Sequence, residues 1–286
     1  MSRLQPSEIA PPPGEYGPAS AALRAKHRAM WALGDYPSVA ATVIPQLGAR
    51  LVEACGVERG TWVLDIGAGA GNAAIPAALA GASVVASDLT PELFEVGRVA
   101  AAAHGVTIEW QEADAQALPY ADCEFDCAIS SVGLMFAPFH QAAADELVRV
   151  VAADGIIGMA NWTPQGFIGQ MFATMKPFAP TPPPGAQPPP LWGDEEHVRE
   201  LLGDRVHALN LVRERVIVDA FANGVEFREF FKANYGPTVA VYAAIAAEPE
   251  RVAELDRALA ELADAYDLGG GRMEWEYLLI TARKSG

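Results

Sequence analysis

The sequence predicts a doubly wound α/β fold, a mostly parallel sheet with helices on both faces. Two observations carry this reading. Between Trp62 and Asn161, short apolar runs alternate with helical stretches at close intervals, the spacing of strand–helix–strand units. The first run, Val63-Leu64-Asp65-Ile66, passes directly into Gly67-Ala68-Gly69-Ala70-Gly71. A strand that ends in closely spaced glycines lets the backbone turn sharply and lets a ligand approach without meeting a Cβ.

Taken in order, residues 1–20 hold Pro11-Pro12-Pro13, Gly14, Gly17 and Pro18 and read as a disordered lead-in. Residues 21–58 read as a helical cap, rich in Ala, Leu and Val and cut into short helices by Pro37 and Pro45. The main domain is expected over 59–286. Its strands are placed at Trp62–Ile66, Ala82–Ser87, Thr107–Gln111, Phe125–Ser131 and Ile156–Asn161, with helices at Asn72–Leu79, Pro91–His104 and His140–Val151. Past Trp162 the alternation stops. Pro177–Pro190 has eight prolines in fourteen residues, too many for a helix or a central strand, so 163–205 reads as a Pro-rich lid or insertion between strands five and six. A strand over Val206–Val218, helices over Val225–Asn234 and Val239–Tyr266, and a last strand over Trp275–Ala282 complete the chain.

Composition narrows the function. Hydrophobic residues make up 51% of the 286, enough for a large core. The balance of 20 basic against 36 acidic side chains gives −16, which disfavours a phosphate-binding groove for nucleic acid and an anionic membrane surface, and favours a small-molecule substrate. No apolar run is long enough to span a bilayer and no secretory signal precedes the cap, so a cytoplasmic location is expected. Cys55, Cys123 and Cys127 are an odd set without a second Cys or His pair nearby, which argues for reduced structural thiols and no metal.

Three carboxylates at strand ends carry the chemistry. Asp65 lies two residues before the first glycine, where it would disfavour a pyrophosphate but suit a ligand bearing an ammonium and a sulfonium. The third glycine of a dinucleotide loop would fall at Asn72, which speaks against a nicotinamide-dependent oxidoreductase. Asp88, followed by Leu89, closes the second strand, where a carboxylate can accept both ribose hydroxyls. Asp114-Ala115 follows the third strand, the carboxylate suited to an exocyclic amine and the Ala115 amide to a ring nitrogen. The plain alternatives are a turn cap at Asp65, a helix N-cap at Asp88 or Thr90, and a solvated loop acid at Asp114.

Residues 62–161, with the Asp65-x-Gly67-x-Gly69-x-Gly71 loop, Asp88, Asp114-Ala115 and Phe125-Asp126, resemble the class I S-adenosylmethionine-dependent methyltransferases, in particular the ubiquinone/menaquinone-biosynthesis-like branch. The resemblance implies a Rossmann-like, seven-stranded sheet with the last strand antiparallel, S-adenosylmethionine as cofactor, and methyl transfer as the reaction. It also implies that Ser131, at the end of the fourth strand, supplies a carbonyl to the methionine ammonium. In that family the N-terminal helices often cover the cofactor. This makes Tyr36, at a helix break, a candidate for the methionine end, with His27 and Trp31 nearby and Trp31 read as packing.

No Asn/Asp-Pro-Pro-Tyr tetrapeptide follows strand four, where the sequence is Ser130-Ser131-Val132-Gly133. That disfavours amino-group methylation of adenine or glutamine and leaves O- and C-methylation open; the acceptor is expected to be small and apolar or aromatic. A noncatalytic S-adenosylmethionine-binding protein is the alternative with the same motifs. His140 is the one weak candidate for a catalytic role. Phe167, Met171, Phe172, Met175 and Phe178 form a run with helical spacing through Met175 that could line an acceptor pocket with Phe230, Phe231 and Tyr235, or pack a core.

Overall fold

The computed structural model describes residues 18–286. The expected lead-in lies outside them as far as residue 17, and Pro18 already opens the first helix. Three helices precede the sheet: α1 (Pro18–Trp31), α2 (Tyr36–Val43) and α3 (Leu47–Ala54). α1 is built of strong helix formers and ends at Trp31; three residues on, Gly34 has a φ of +73° that no helix accepts. Asp35 then caps α2 by accepting the Ser38 N–H at 3.1 Å, and Pro37 sits in the first turn, where its missing donor costs nothing.

Seven strands follow: β1 (Trp62–Ile66), β2 (Ser83–Asp88), β3 (Glu109–Glu112), β4 (Phe125–Ser131), β5 (Val151–Trp162), β6 (Val206–Val218) and β7 (Met273–Lys284). They form one sheet in the order β3-β2-β1-β4-β5-β7-β6. The first five are parallel, and β7 runs antiparallel to both β5 and β6. The parallel strands are connected through α4 (Ala74–Leu79), α5 (Phe94–Ala103) and α6 (His140–Val150), in the Rossmann-like manner expected. Strand order reverses between β1 and β4, so the carboxyl ends of β1, β2 and β4 open onto a crevice, the position where open α/β sheets bind ligands.

After β5 come α7 (Phe167–Met175) and α8 (Glu195–Leu202), and after β6 come α9 (Gly224–Asn234), α10 (Gly236–Ala244) and α11 (Pro249–Tyr266). The single helix expected over Val239–Tyr266 is two. Tyr235 caps α10, the chain turns after Ala244, and Pro249 restarts the helix in its first turn. The Pro-rich stretch between α7 and α8 is extended apart from short 3₁₀ turns at Lys176–Phe178 and Pro189–Gly193.

The stripe on α7 is core. Phe167, Met171 and Met175 are buried, and Phe167 stacks on Trp275 of β7 at 4.9 Å and meets Phe227 of α9 edge-on at 5.0 Å. The pocket role weighed for these three is thereby corrected, because the apolar face of β7 has to be covered and α7 and α9 cover it. Cys55 and Cys127 are buried, whereas Cys123 is exposed in a turn at φ +58° beside Lys284 Nζ. Among the described residues no helix is long and apolar enough to cross a membrane.

Candidate cofactor-binding site

The glycine loop leaves β1 with Gly67, Gly69 and Gly71 all at positive φ, +70°, +55° and +91°. Gly67 is required twice over: a Cβ there would be strained by φ and would stand 2.7 Å from the Gly133 Cα. The loop after β1 and the loop after β4 therefore touch main chain to main chain. Val132, between Ser131 and Gly133, sits at φ +57°, a strained conformation for a β-branched residue and one held at the edge of the crevice. Trp110 of β3 lies across the loop's far side, where Cβ atoms on Gly71 or Gly97 would collide with its ring.

The Asp88 carboxylate closes β2 and ties two loops together. Its Oδ2 accepts the Gly69 N–H at 2.8 Å and its Oδ1 accepts the Thr90 N–H at 2.8 Å. Burial pushes its pKa up, and the donors at Gly69, Thr90 and Leu89 oppose that rise. Asp65 is buried at 1% exposure, and neither of its oxygens reaches a hydrogen-bonding donor, although the Ala74 amide points toward it. Burial raises its pKa to about 7, and the nearby Asp88 adds to the rise. Asp114 accepts both the backbone and side-chain N–H groups of Gln116 on Oδ1, at 2.9 and 3.1 Å. Its Oδ2 is buried without a hydrogen bond, with Arg24 Nε 4.0 Å away.

These elements line a cavity of about 90 Å³, with Gly67, Gly69, Asp88, Leu89, Asp114 and Ala115 from the sheet and His27, Trp31 and Tyr36 from the cap. Gln116, Val132, Leu134, Phe136 and Pro138 complete the wall. Burial lowers the His27 pKa, partly offset by Asp114, so its imidazole is neutral at neutral pH. α1 is latched across the opening: Arg28 reaches Glu92 at 2.8 Å and Glu112 at 3.0 Å. At the other end, Trp31 meets Phe136 edge-on at 4.6 Å and Tyr36 at 5.5 Å, and a Cβ on Gly69 would sit in ordinary contact with the Tyr36 ring, at 3.4 Å.

Of the residues singled out from sequence, Tyr36, Gly67, Gly69, Asp88, Leu89, Asp114 and Ala115 meet on this cavity. Asp65 and Ser131 are buried at the strand ends and do not line it; the Ser131 hydroxyl has no partner. Trp31, read as packing, is part of the lining. His140 is not. It is buried at the start of α6, its Nδ1 is 2.9 Å from His197 Nε2, and its ring lies 5.6 Å from Trp192. Burial, with His197 adding, drops its pKa to about 3. The catalytic candidacy is corrected: α8 and the Pro-rich segment pack over His140, a burial that its place at a helix start did not reveal. Gln116 went unnoticed in the sequence. Its role is to join Asp114 to the α6 loop, where its Oε1 accepts the Phe139 N–H at 3.0 Å.

The family described as "Methyltransferase domain" matches residues 63–155, from β1 into β5. An uncharacterized protein of Mycobacterium tuberculosis (strain H37Rv) is 52% identical over 262 residues, covering 92% of this chain and 95% of the relative. A demethylmenaquinone methyltransferase of Thermus thermophilus is 33% identical over 104 residues, 36% of this chain and 47% of the relative. The chain carries a methyltransferase domain of the class I S-adenosylmethionine-dependent type. The fold agrees: the YcgJ protein from Bacillus subtilis superposes with a TM-score of 0.55 at 17% identity, covering 84% of this chain and 99% of the other. The protein is thus a methyltransferase that uses S-adenosylmethionine, and the dinucleotide reading of its glycine loop is set aside.

Proposed function

We propose that this methyltransferase methylates an oxygen or carbon of a small apolar or aromatic acceptor. The observation that carries the reading is the group of Trp31, Tyr36, Leu134 and Phe136 among the cavity-lining residues, the aromatic and aliphatic part of a wall that also holds Asp88 and Asp114. An apolar, aromatic wall rewards burial of a flat apolar molecule and penalises an ion left without a partner.

The cofactor fits the donor set. Asp114 offers a buried oxygen without a hydrogen bond for an exocyclic amine, and Asp88 keeps free lone pairs for ribose hydroxyls beside those used by Gly69 and Thr90. Asp65, buried without a donor, suits a nearby cation, and Gly67 and Gly69 leave the loop open for close approach. Leu89 and Ala115 would flank the adenine, Ser131 would offer its carbonyl to the ammonium, and Tyr36 would lie over the methionine end. When bound, S-adenosylmethionine supplies an electrophilic methyl group whose bonding electrons stay on sulfur.

The chain's own part is alignment and exclusion of water. Residues 21–58 act as a cap, with Arg28 as its latch, and 163–205 act as a strap over the second half. No base is needed where the acceptor ionises before transfer. Where it does not, neutral His27 is the imidazole on the cavity wall.

Transfer of labelled methyl from S-adenosylmethionine to a panel of hydroxylated aromatics, quinols and amines tests the reading. Turnover confined to the aromatic and quinol members is expected. Exclusive methylation of amines would overturn the acceptor class, and cofactor binding with no turnover on any member would favour a noncatalytic binder.

A further inference from the structure

The loop after β3 presents Asp114 to the cavity, and one side chain decides which of its oxygens faces inward. Gln116 is buried, lines the same cavity and bridges two loops. At one end its Oε1 accepts the Phe139 N–H at 3.0 Å, and at the other its Nε2 donates to Asp114 Oδ1 at 3.1 Å. The backbone fixes which end is which. A main-chain N–H can only donate, so the amide oxygen has to face Phe139, and the NH2 group is left to face Asp114. The Gln116 main-chain N–H adds a second donor to the same carboxylate oxygen, at 2.9 Å.

The two oxygens of Asp114 therefore differ. Oδ1 holds both donors of Gln116, whereas Oδ2 is buried without a hydrogen bond, with Arg24 Nε 4.0 Å away. Both ends of the bridge are themselves anchored. The Leu118 N–H donates to the Glu146 carboxylate at 2.6 Å, and Arg149 donates to the Leu118 and Tyr120 carbonyls at 3.0 and 2.7 Å. On the other side, the Gln187 N–H of the Pro-rich stretch donates to the Pro138 carbonyl at 2.9 Å, one residue before Phe139. Gln116 spans two held loops, and the carboxylate it grips is held in one orientation.

We propose that Gln116 is a positioning residue that sets cofactor specificity, reserving Asp114 Oδ2 for the 6-amino group of adenine. The inference rests on the reading of Asp114 given above and deepens it, because it says why the site rejects a purine with oxygen at that position. A 6-amino group donates, and a 6-oxo group only accepts. An oxygen-bearing base would bring two acceptors together in a buried site with no hydrogen between them. The same grip makes a second demand. In Asp114→Asn, Gln116 holds the amide oxygen on its own side and turns the NH2 group toward the base, which reverses the preference.

Two probes of one shape test this: S-adenosylhomocysteine and S-inosylhomocysteine, which carries oxygen in place of the 6-amino group. Their affinities are measured by calorimetry. Wild type is expected to prefer the adenosyl compound by about ten- to hundredfold, the worth of a hydrogen bond to a charged group. Gln116→Met, close in volume but without a donor, is expected to cut that preference about five- to tenfold by weakening the adenosyl compound. The inosyl compound should stay within about twofold, whereas a loosened loop would weaken both alike. Asp114→Asn is expected to favour the inosyl compound by about five- to tenfold. A preference in Gln116→Met within twofold of wild type, or an Asp114→Asn protein that still favours the adenosyl compound, overturns the role of Gln116 alone. Wild type without any preference overturns the reading of Asp114 as well. Asp114→Asn keeps Gln116 in place, so it decides the matter even where Gln116→Met fails to fold.

Discussion

Asp88 and Gly69 are joined by a hydrogen bond of 2.8 Å from the loop amide to the strand-end carboxylate, so the group suited to the ribose also holds the glycine loop in place. The Asp88 side chain has both functions at once, and its substitution should reveal both. Asp88→Ala is expected to weaken S-adenosylhomocysteine binding by about 1.5–3 kcal/mol, the range for a hydrogen bond to a charged group. Asp88→Asn, which retains one acceptor oxygen, should fall between wild type and alanine. Equal calorimetric affinity in all three proteins would remove Asp88 from the cofactor site.

Asp65 predicts a pH dependence whose sign follows from its raised pKa of about 7. In the cofactor-free protein its neutral form is the favoured one, so the stability it contributes is present below the ordinary carboxylate range and lost as pH rises toward 7. A ligand ammonium nearby requires the ionised form, so cofactor affinity should fall by up to about tenfold for each pH unit below 7. Asp65→Asn should flatten both curves. Calorimetric titration between pH 5 and 8 checks this, and a flat affinity profile for wild type would show that Asp65 does not titrate with binding.

Gly133 and Gly67 pack back to back, and only Gly67 has positive φ. Gly133→Ala therefore isolates the packing cost, expected at about 1–3 kcal/mol as for overpacking elsewhere. Gly67→Ala adds left-handed backbone strain of about 1 kcal/mol or more. Thermal melts should rank wild type above Gly133→Ala and Gly133→Ala above Gly67→Ala.

Arg28 ties α1 to Glu92 and Glu112 through exposed ion pairs, which contribute little to global stability and which, in the proposed lid, are the latch. Arg28→Ala should leave the melting temperature near wild type and accelerate amide exchange in α1. S-adenosylhomocysteine should slow exchange across residues 21–55 in wild type. Exchange there that ignores both the substitution and the ligand would exclude a lid.

Phe167 and Met175 are buried in the α7 core. Replacement of either by Ala should cost about 2–5 kcal/mol of stability through the cavity left behind. Phe172, partly buried beside Phe136 and Tyr235, is expected to alter acceptor preference at a smaller cost in melting temperature.

Much of the cofactor half was legible because its signals are local. Trp62–Ile66 and Phe125–Ser131 were placed to the residue, since a buried parallel strand is an apolar run bounded by turn chemistry. Asp88 and Asp114 follow their strands directly, so their positions on the cavity came with the strands. His140, Trp31 and the α7 stripe were harder. Each lies on a helix whose exposure depends on what packs over it: α8 and Trp192 in the case of His140, open cavity in the case of Trp31, β7 and α9 in the case of Phe167.

By itself the sequence determined the α/β class, the order of the strands along the chain and the loop chemistry, because φ at a glycine or a carboxylate at a strand end depends on neighbours within a few residues. The order of strands in space, the burial that neutralises His140, and the bond from Gln116 to Phe139 were decided by tertiary structure. So was the meeting of Tyr36 with Tyr235, nearly two hundred residues apart along the chain and 6.5 Å apart in the fold. Such contacts are made by whole elements docking on one another, and the energy that selects them is the burial of apolar faces summed over the domain, which no single segment carries.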